Sequence, residues 1–283
     1  MLVGFAWTGF VGQAMVRSIK RLDFNIAYAC NLSCKGCISL SDMNRRGVES
    51  LESIEQQCAI WSSRIKPEVI TLFGGEPLLH PRIHDVIKCI KLHWKDATIR
   101  LITNGYLLKK HNPEQWFEHT PFEMQVSVHR KDHEAILTAE IKRILQCKTG
   151  WQVKKNPVTG HKSIEFSLPD FTIYKSIFGD FVKPYQDDIT PFNSDPVLAH
   201  KICGAPNTPV LYKNKLYKCP SVANVLDIIP GYTEYQGVGH NEDLTEFING
   251  IGKPEPVCSM CPEQRSHRVD HYAEGSVHVK NLD

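Results

Sequence analysis

From residue 22 onward the chain alternates short apolar runs with amphipathic stretches. Residues 22–29 (LDFNIAYA) alternate well enough to predict a strand. Leu51, Ile54, Cys58, Trp61 and Ile65 recur at helical spacing, and Pro67 stops that run. Glu68 to Phe73 reads as a buried strand ending in Gly74-Gly75-Glu76-Pro77, and Ile83, Val86, Ile87 and Ile90 mark a second helix. Thr98 to Thr103 predicts a third strand that ends at Asn104-Gly105. After a polar segment with Trp116 and Phe117, Met124 to Val128 predicts a fourth strand, and Ile136, Leu137, Ile141, Ile144 and Leu145 a third helix. Strands and helices in alternation imply an α/β fold, a parallel sheet covered by helices, with its chemistry in the loops at the carboxyl ends of the strands.

Beyond residue 150 the pattern loosens. Ile164 to Leu168 and Phe171 to Phe178 are short aromatic-rich pieces, expected to complete the sheet and to line part of a substrate cavity. Pro209 to Tyr212 and Leu216 to Cys219 flank Lys213-Asn214-Lys215, a hairpin pattern with Asn214 as the left-handed turn residue. At the other end, residues 2–16 are apolar but lack a basic leader and a small-residue cleavage site, so they read as a buried strand or helix. Gly4, Ala6, Gly9 and Gly12 with Asp23 imitate a dinucleotide fingerprint. The cysteines follow too soon for an ordinary unit of that kind.

Composition changes little: 283 residues, 42% hydrophobic and 23% charged, with a formal charge of +2. No basic block points to nucleic acid, and no run is long enough to cross a membrane comfortably. The ten cysteines matter more. Their clustering favours metal over disulfides and hence a reducing, cytoplasmic setting.

Cys30, Cys34 and Cys37 stand at offsets of four and three residues after the first strand. Three such thiolates can hold three irons of a cubane and leave the fourth open; zinc and plain packing are the alternatives. This Cys-x3-Cys-x2-Cys loop resembles that of the radical S-adenosylmethionine (SAM) enzymes, and Gly74-Gly75-Glu76-Pro77 matches a motif common at the end of their second strand. The resemblance implies a partial (β/α)6 TIM-type barrel and a [4Fe-4S] cluster whose open iron binds SAM. It places Gly74, Gly75, Glu76, Pro77, Thr103, Asn104 and Ser127 around SAM, with Glu76 and exposed carbonyls near its ammonium. Gly36 fills a position before the third cysteine that is often aromatic in the family and helps hold the adenine. His129, at a strand end, is a candidate proton acceptor.

Cys203, Cys219, Cys258 and Cys261 resemble the shortened SPASM, or twitch, domain of some of these enzymes, with Asn214 in place of the turn glycine five residues before Cys219. That resemblance implies a second, auxiliary [4Fe-4S] cluster, against the alternative of structural zinc. Cys58, Cys89 and Cys147 read as packing residues. The expected organisation is an N-terminal extension over residues 1–20, the barrel over 21–200 and the auxiliary-cluster unit over 201–283. The expected activity is oxidation of a small polar substrate, a sugar or cyclitol alcohol, with the auxiliary cluster accepting an electron and a flavodoxin or ferredoxin as donor. Peptide modification is the rival. A zinc-stabilised binding protein using Cys34, Cys37, Cys258 and Cys261 is the reading of another class. Arg45 and Arg46 are candidates for substrate contact, with solvated surface positions as the plainer expectation.

Overall fold

The computed structural model describes residues 16–156, 162–177, 180–187, 189–229, 235–273 and 275–280. The apolar segment before Val16, its glycine pattern and Phe178 lie outside the described residues.

Ten strands form one open sheet. Six are parallel and lie side by side: β10 (Val210–Tyr212), β1 (Arg17–Ala27), β3 (Ile65–Gly74), β4 (Thr98–Thr103), β5 (Phe122–Val128) and β8 (Phe171–Ile177). Antiparallel strands β11 (Lys215–Tyr217) and β12 (Val238–Gly239) extend one edge, and β7 (Lys162–Leu168) and β6 (Gln152–Lys155) the other. Among the described residues no pairing joins the two edges, so the sheet is a partial, unclosed TIM-type barrel. Two small ribbons sit at its mouth, β2 (Leu32–Cys34) with β14 (Val277–Val279) and β9 (Asp180–Val182) with β13 (Arg268–Asp270).

Helices α1 (Leu51–Trp61), α2 (Ile83–His93) and α3 (Glu134–Leu145) cover the convex face, where Leu22, Phe24, Ile70, Leu72, Leu101 and Met124 are fully buried. Between β4 and β5 the expected polar segment takes 3-10 turns in place of a helix. Helix α1 stops at Trp61, short of the expected Ile65, which begins β3. Pro67 therefore sits inside a strand and does not cap a helix. It is tolerated because β4 begins opposite Val69, leaving β3 a neighbour on the β1 side alone at that point. Strand β1 also starts at Arg17, five residues earlier than its alternation suggested.

After β8, α4 (Pro196–Lys201) leads to the predicted hairpin. Lys213 and Asn214 both hold positive φ, of 47° and 61°, and make a two-residue turn. The hairpin's first strand pairs with β1, so it continues the main sheet. Helices α5 (Pro220–Ile228) and α6 (Thr245–Gly250) follow.

Candidate active site

Alternation along the strands gives the sheet a second, concave face. Arg21, Asp23, Arg100, Gln125, Ser127 and Tyr174 point into a cavity of about 530 Å³ whose mouth is the cysteine loop. Parallel strands buried on both faces are usually apolar throughout. Polar residues at every second position, as at Arg21 and Asp23 and at Gln125 and Ser127, are the sequence sign that one face of the sheet lines a cavity.

Cys30, Cys34 and Cys37 all reach this cavity. Cys30 and Cys34 are 7% and 4% exposed, and burial, more than any neighbouring charge, pushes both thiols up. A buried thiol gives up its proton readily only to a metal that replaces its lost hydration. Cys30 Sγ accepts from Leu32 N at 3.3 Å and Asn104 Nδ2 at 3.7 Å. The loop is tied down from outside as well, by Lys280 N on Asn31 O at 2.8 Å and Lys35 N on Ser276 O at 3.0 Å.

The Gly-Gly-Glu-Pro turn is placed differently from its expected role. The close approach its glycines permit is to the chain's own backbone: a Cβ on Gly74 would lie 2.0 Å from Ala27 O, and one on Gly75 2.1 Å from Ala29 O. Both glycines still border the cavity. Glu76 is fully buried and its carboxylate is spent within the protein, accepting from Thr103 Oγ1 at 2.7 Å, Asn104 N at 2.8 Å and Leu78 N at 2.9 Å. Burial raises its pKa to about 7 against those three donors. It therefore locks the ends of β3 and β4 together and is not turned toward a ligand ammonium. Pro77 opens a buried 3-10 turn behind it.

Thr103, Asn104 and Ser127 do border the cavity, as expected. Asn104 Nδ2 also donates to Asn31 Oδ1 at 2.7 Å, which brings in Asn31, a buried residue the spacing of the cysteines gave no reason to single out. Gly36 needs its positive φ of 74° and packs against Val269 and Lys183, so it does not open on the cavity. His129 lines the cavity, but burial first and His271 second lower its pKa to about 3. A base that weak is poorly suited to accept a proton near neutral pH.

Arg45 is neither a surface residue nor a cavity residue. Its side chain, 7% exposed, lies 5.2 Å from the Tyr28 ring and 5.8 Å from that of Tyr212. It donates to Asn224, Tyr212 and Ser39 O and pairs with Asp227. Arg45 thus ties the segment after the cysteine loop to β10 and α5. Arg46 is exposed, as the plainer expectation had it.

The second cysteine set also comes together. Cys203 follows α4, Cys219 precedes α5, and Cys258 lies within a 3-10 turn that Cys261 caps. Cys219 feels Cys203 and Cys258, and Cys261 feels all three; burial dominates in each, raising Cys219 to about 12. Gly204, Ala205 and Pro220, neighbours of Cys203 and Cys219, line the same cavity. Among the described residues no three cysteine, histidine or carboxylate groups converge tightly enough to share one metal ion. The alternative single site of Cys34, Cys37, Cys258 and Cys261 does not form, because Cys34 answers to Cys30 and Cys37 while Cys261 answers to Cys219, Cys203 and Cys258. No helix among the described residues is long and apolar enough to cross a membrane.

Residues 24–146 match the family model described as the Radical SAM superfamily. GTP 3',8-cyclases from Campylobacter jejuni subsp. doylei and Aquifex aeolicus are 32% and 31% identical over 95 and 98 residues, each match covering 33% of this chain and 30% of the relative. The match thus spans under a third of the length of those curated relatives. Among solved structures, BtrN in complex with AdoMet and 2-DOIA aligns over 87% of this chain and 94% of its own at 15% identity, with a TM-score of 0.49. Streptococcus suis SuiB bound to S-adenosylmethionine aligns over 38% of this chain and 25% of its own at 18% identity, with a TM-score of 0.33. The superfamily implies a [4Fe-4S] cluster and SAM, and three thiols on one cavity, two of them buried and Cys37 half-buried, suit that pair. Residues 24–146, which hold the cysteine loop and the Gly-Gly-Glu-Pro turn at two strand ends of one partial barrel, are thus similar to the Radical SAM superfamily over 123 of the chain's 283 residues.

Proposed function

We propose that this chain is a radical SAM oxidoreductase acting on a small polar substrate, a sugar or cyclitol alcohol, with Cys203, Cys219, Cys258 and Cys261 holding an auxiliary [4Fe-4S] cluster in a twitch-type unit over residues 201–283. The observation that carries the reading is one cavity lined both by Cys30, Cys34 and Cys37 and by Gly204, Ala205 and Pro220, the chain neighbours of Cys203 and Cys219. When bound, the two clusters and SAM supply a carbon radical that takes a hydrogen atom from a carbinol carbon and an acceptor for the electron left behind, so that an alcohol losing its hydroxyl proton becomes a ketone.

The chain's own residues do the holding. Cys30, Cys34 and Cys37 anchor the first cluster; Gly74, Gly75, Thr103, Asn104 and Ser127 border the place where SAM would lie. Glu76 and Asn104 keep the strand ends in register beneath it. The polar side chains in the cavity, Gln125, Ser127 and Tyr174 among them, offer a hydroxylated molecule hydrogen-bond partners. A flavodoxin or ferredoxin is the proposed electron donor.

Anaerobic reconstitution tests this directly. About eight irons per chain are expected for two cubanes, falling by about half in Cys30→Ala, Cys34→Ala or Cys37→Ala with loss of 5'-deoxyadenosine formation. Candidate carbohydrates should leave two hydrogens lighter. One zinc without iron, or a modified peptide as product, overturns the proposal.

A further inference from the structure

The floor of the cavity is charged in a particular way. Strand register places Asp23 beside Thr71, Thr71 beside Arg100 and Arg100 beside Glu123, one polar row across four neighbouring strands. Arg21, one inward position below Asp23, grips it with two bonds, Nε to Oδ1 at 2.6 Å and Nη2 to Oδ2 at 3.2 Å. Arg100 is held from behind by Glu123, Nε to Oε2 at 2.6 Å.

Each guanidinium is therefore fixed along one edge by its own carboxylate, while both arginines still border the cavity, at 27% and 24% side-chain exposure. A guanidinium has five N–H donors and no acceptor. Asp23 takes two from Arg21 and Glu123 one from Arg100, and no other bonds to these two side chains occur among the described residues. The remaining donors need acceptors inside the cavity. Asp23, at 4% side-chain exposure, is shielded, and Glu123 does not border the cavity; Lys154 and Glu165, which also line it, carry one charge of each sign and leave the two guanidiniums as its cationic excess.

We propose that Arg21 and Arg100 form an oxyanion subsite, so that the substrate is an acidic molecule whose carboxylate or phosphate docks on the barrel floor. This rests on the cavity being the substrate chamber proposed above. Fixed, planar, partly desolvated guanidiniums bind such groups by paired charge-assisted bonds, and they repel an ammonium. The row lies four residues below Ser127, about 13 Å at the rise of a strand, which leaves the rest of the substrate extending up past Gln125 and Tyr174 toward the cysteine mouth.

The test is titration calorimetry on the anaerobically reconstituted full chain with SAM present, using glucose, glucosamine, gluconate, glucose 6-phosphate and GTP as probes. At least one acidic probe is expected to bind about tenfold or more tighter than the neutral and amino sugars, and whichever does so separates a carboxylate from a phosphate or a nucleotide. The paired variants Arg21→Gln with Asp23→Asn, and Arg100→Gln with Glu123→Gln, leave no orphaned charge. Each should erase that preference while iron content stays at the wild-type value. Should either variant fail to fold, sodium sulfate displacing the acidic probe from the wild-type chain, at concentrations where sodium chloride does not, serves in its place. Equal binding of neutral or amino sugars, no binding by any acidic probe, or variants that keep the preference overturn the proposal. Absence of iron or of SAM cleavage in the wild-type chain would sink the radical reading alone, because the anion preference is read from binding heat and not from turnover.

Discussion

Glu76 carries a fully buried carboxylate with three donors aimed at it. In Glu76→Gln the amide would have to present an N–H where Thr103, Asn104 or Leu78 already presents a donor, leaving at least one donor without an acceptor. Stability should fall by about 1–3 kcal/mol, read as a shift in the urea midpoint at unchanged slope; wild-type stability would show that the carboxylate is not positioning the strand ends. Arg45 makes the same point in reverse. Its motif-poor surroundings, Arg45-Arg46-Gly47, suggested a solvated pair, yet two tyrosine rings and Asn224 enclose the first guanidinium and leave the second outside.

At the scale of elements, the hairpin explains why asparagine stands where a turn glycine is expected. Asn214 Oδ1 accepts from Trp61 Nε1 at 2.9 Å and its backbone N–H donates to Gln57 Oε1 at 2.9 Å, pinning the turn to α1. Asn214→Gly keeps the left-handed turn but strands a buried indole N–H. It should therefore destabilise by about 1 kcal/mol or more, against turn propensity, and an increase in melting temperature would refute the pinning. A second element-level device joins α2 to the turn before β5. His84 Nδ1 and His119 Nε2 lie 2.8 Å apart, one donating and one accepting, with His111 and Trp116 packed beside them. Burial lowers His84, and lowers His111 and His119 to about 4. In the unfolded chain these rings titrate near 6.5, so their contribution is complete above about pH 6.5. It is lost as pH falls toward 4, where two imidazoliums could no longer share one hydrogen bond. Unfolding midpoints measured between pH 7 and 4.5 should drop less steeply in His119→Gln than in the wild type; parallel profiles would remove the histidines from the account.

Across the whole molecule, residues 275–280 are strapped over the cysteine loop. Strand β14 pairs with β2, Val277 packs among Cys30, Leu32 and Cys34, and Arg130 Nη1 holds Val277 O at 3.2 Å. Val277→Asp would set an unpaired carboxylate beside the thiolates and loosen the strap. Iron release to a chelator should accelerate several-fold, as expected when an apolar shell that limits solvent access to a metal is breached. Val279→Asp, on the same strand but 47% exposed, should leave it unchanged. Equal rates for the two variants would count against a shielding role for this segment.

What the sequence alone determined is local. The triple cysteine spacing, the Gly-Gly-Glu-Pro turn, the three amphipathic helices and the hairpin with Asn214 in its turn are all set within a few residues, by covalent reach, by the 3.6 and 2.0 periods and by backbone sterics. The tertiary structure decided whatever depends on strand register and on partners far along the chain. Glu76 turned inward because Thr103 and Asn104 arrived from β4; Arg21 and Arg100 came to one floor because β3 separates their strands; and Lys280 closed on Asn31 from the opposite end of the numbering. Spacing can bring sulfurs together on one loop, but which way a side chain faces, and what meets it there, is settled only when the sheet pairs.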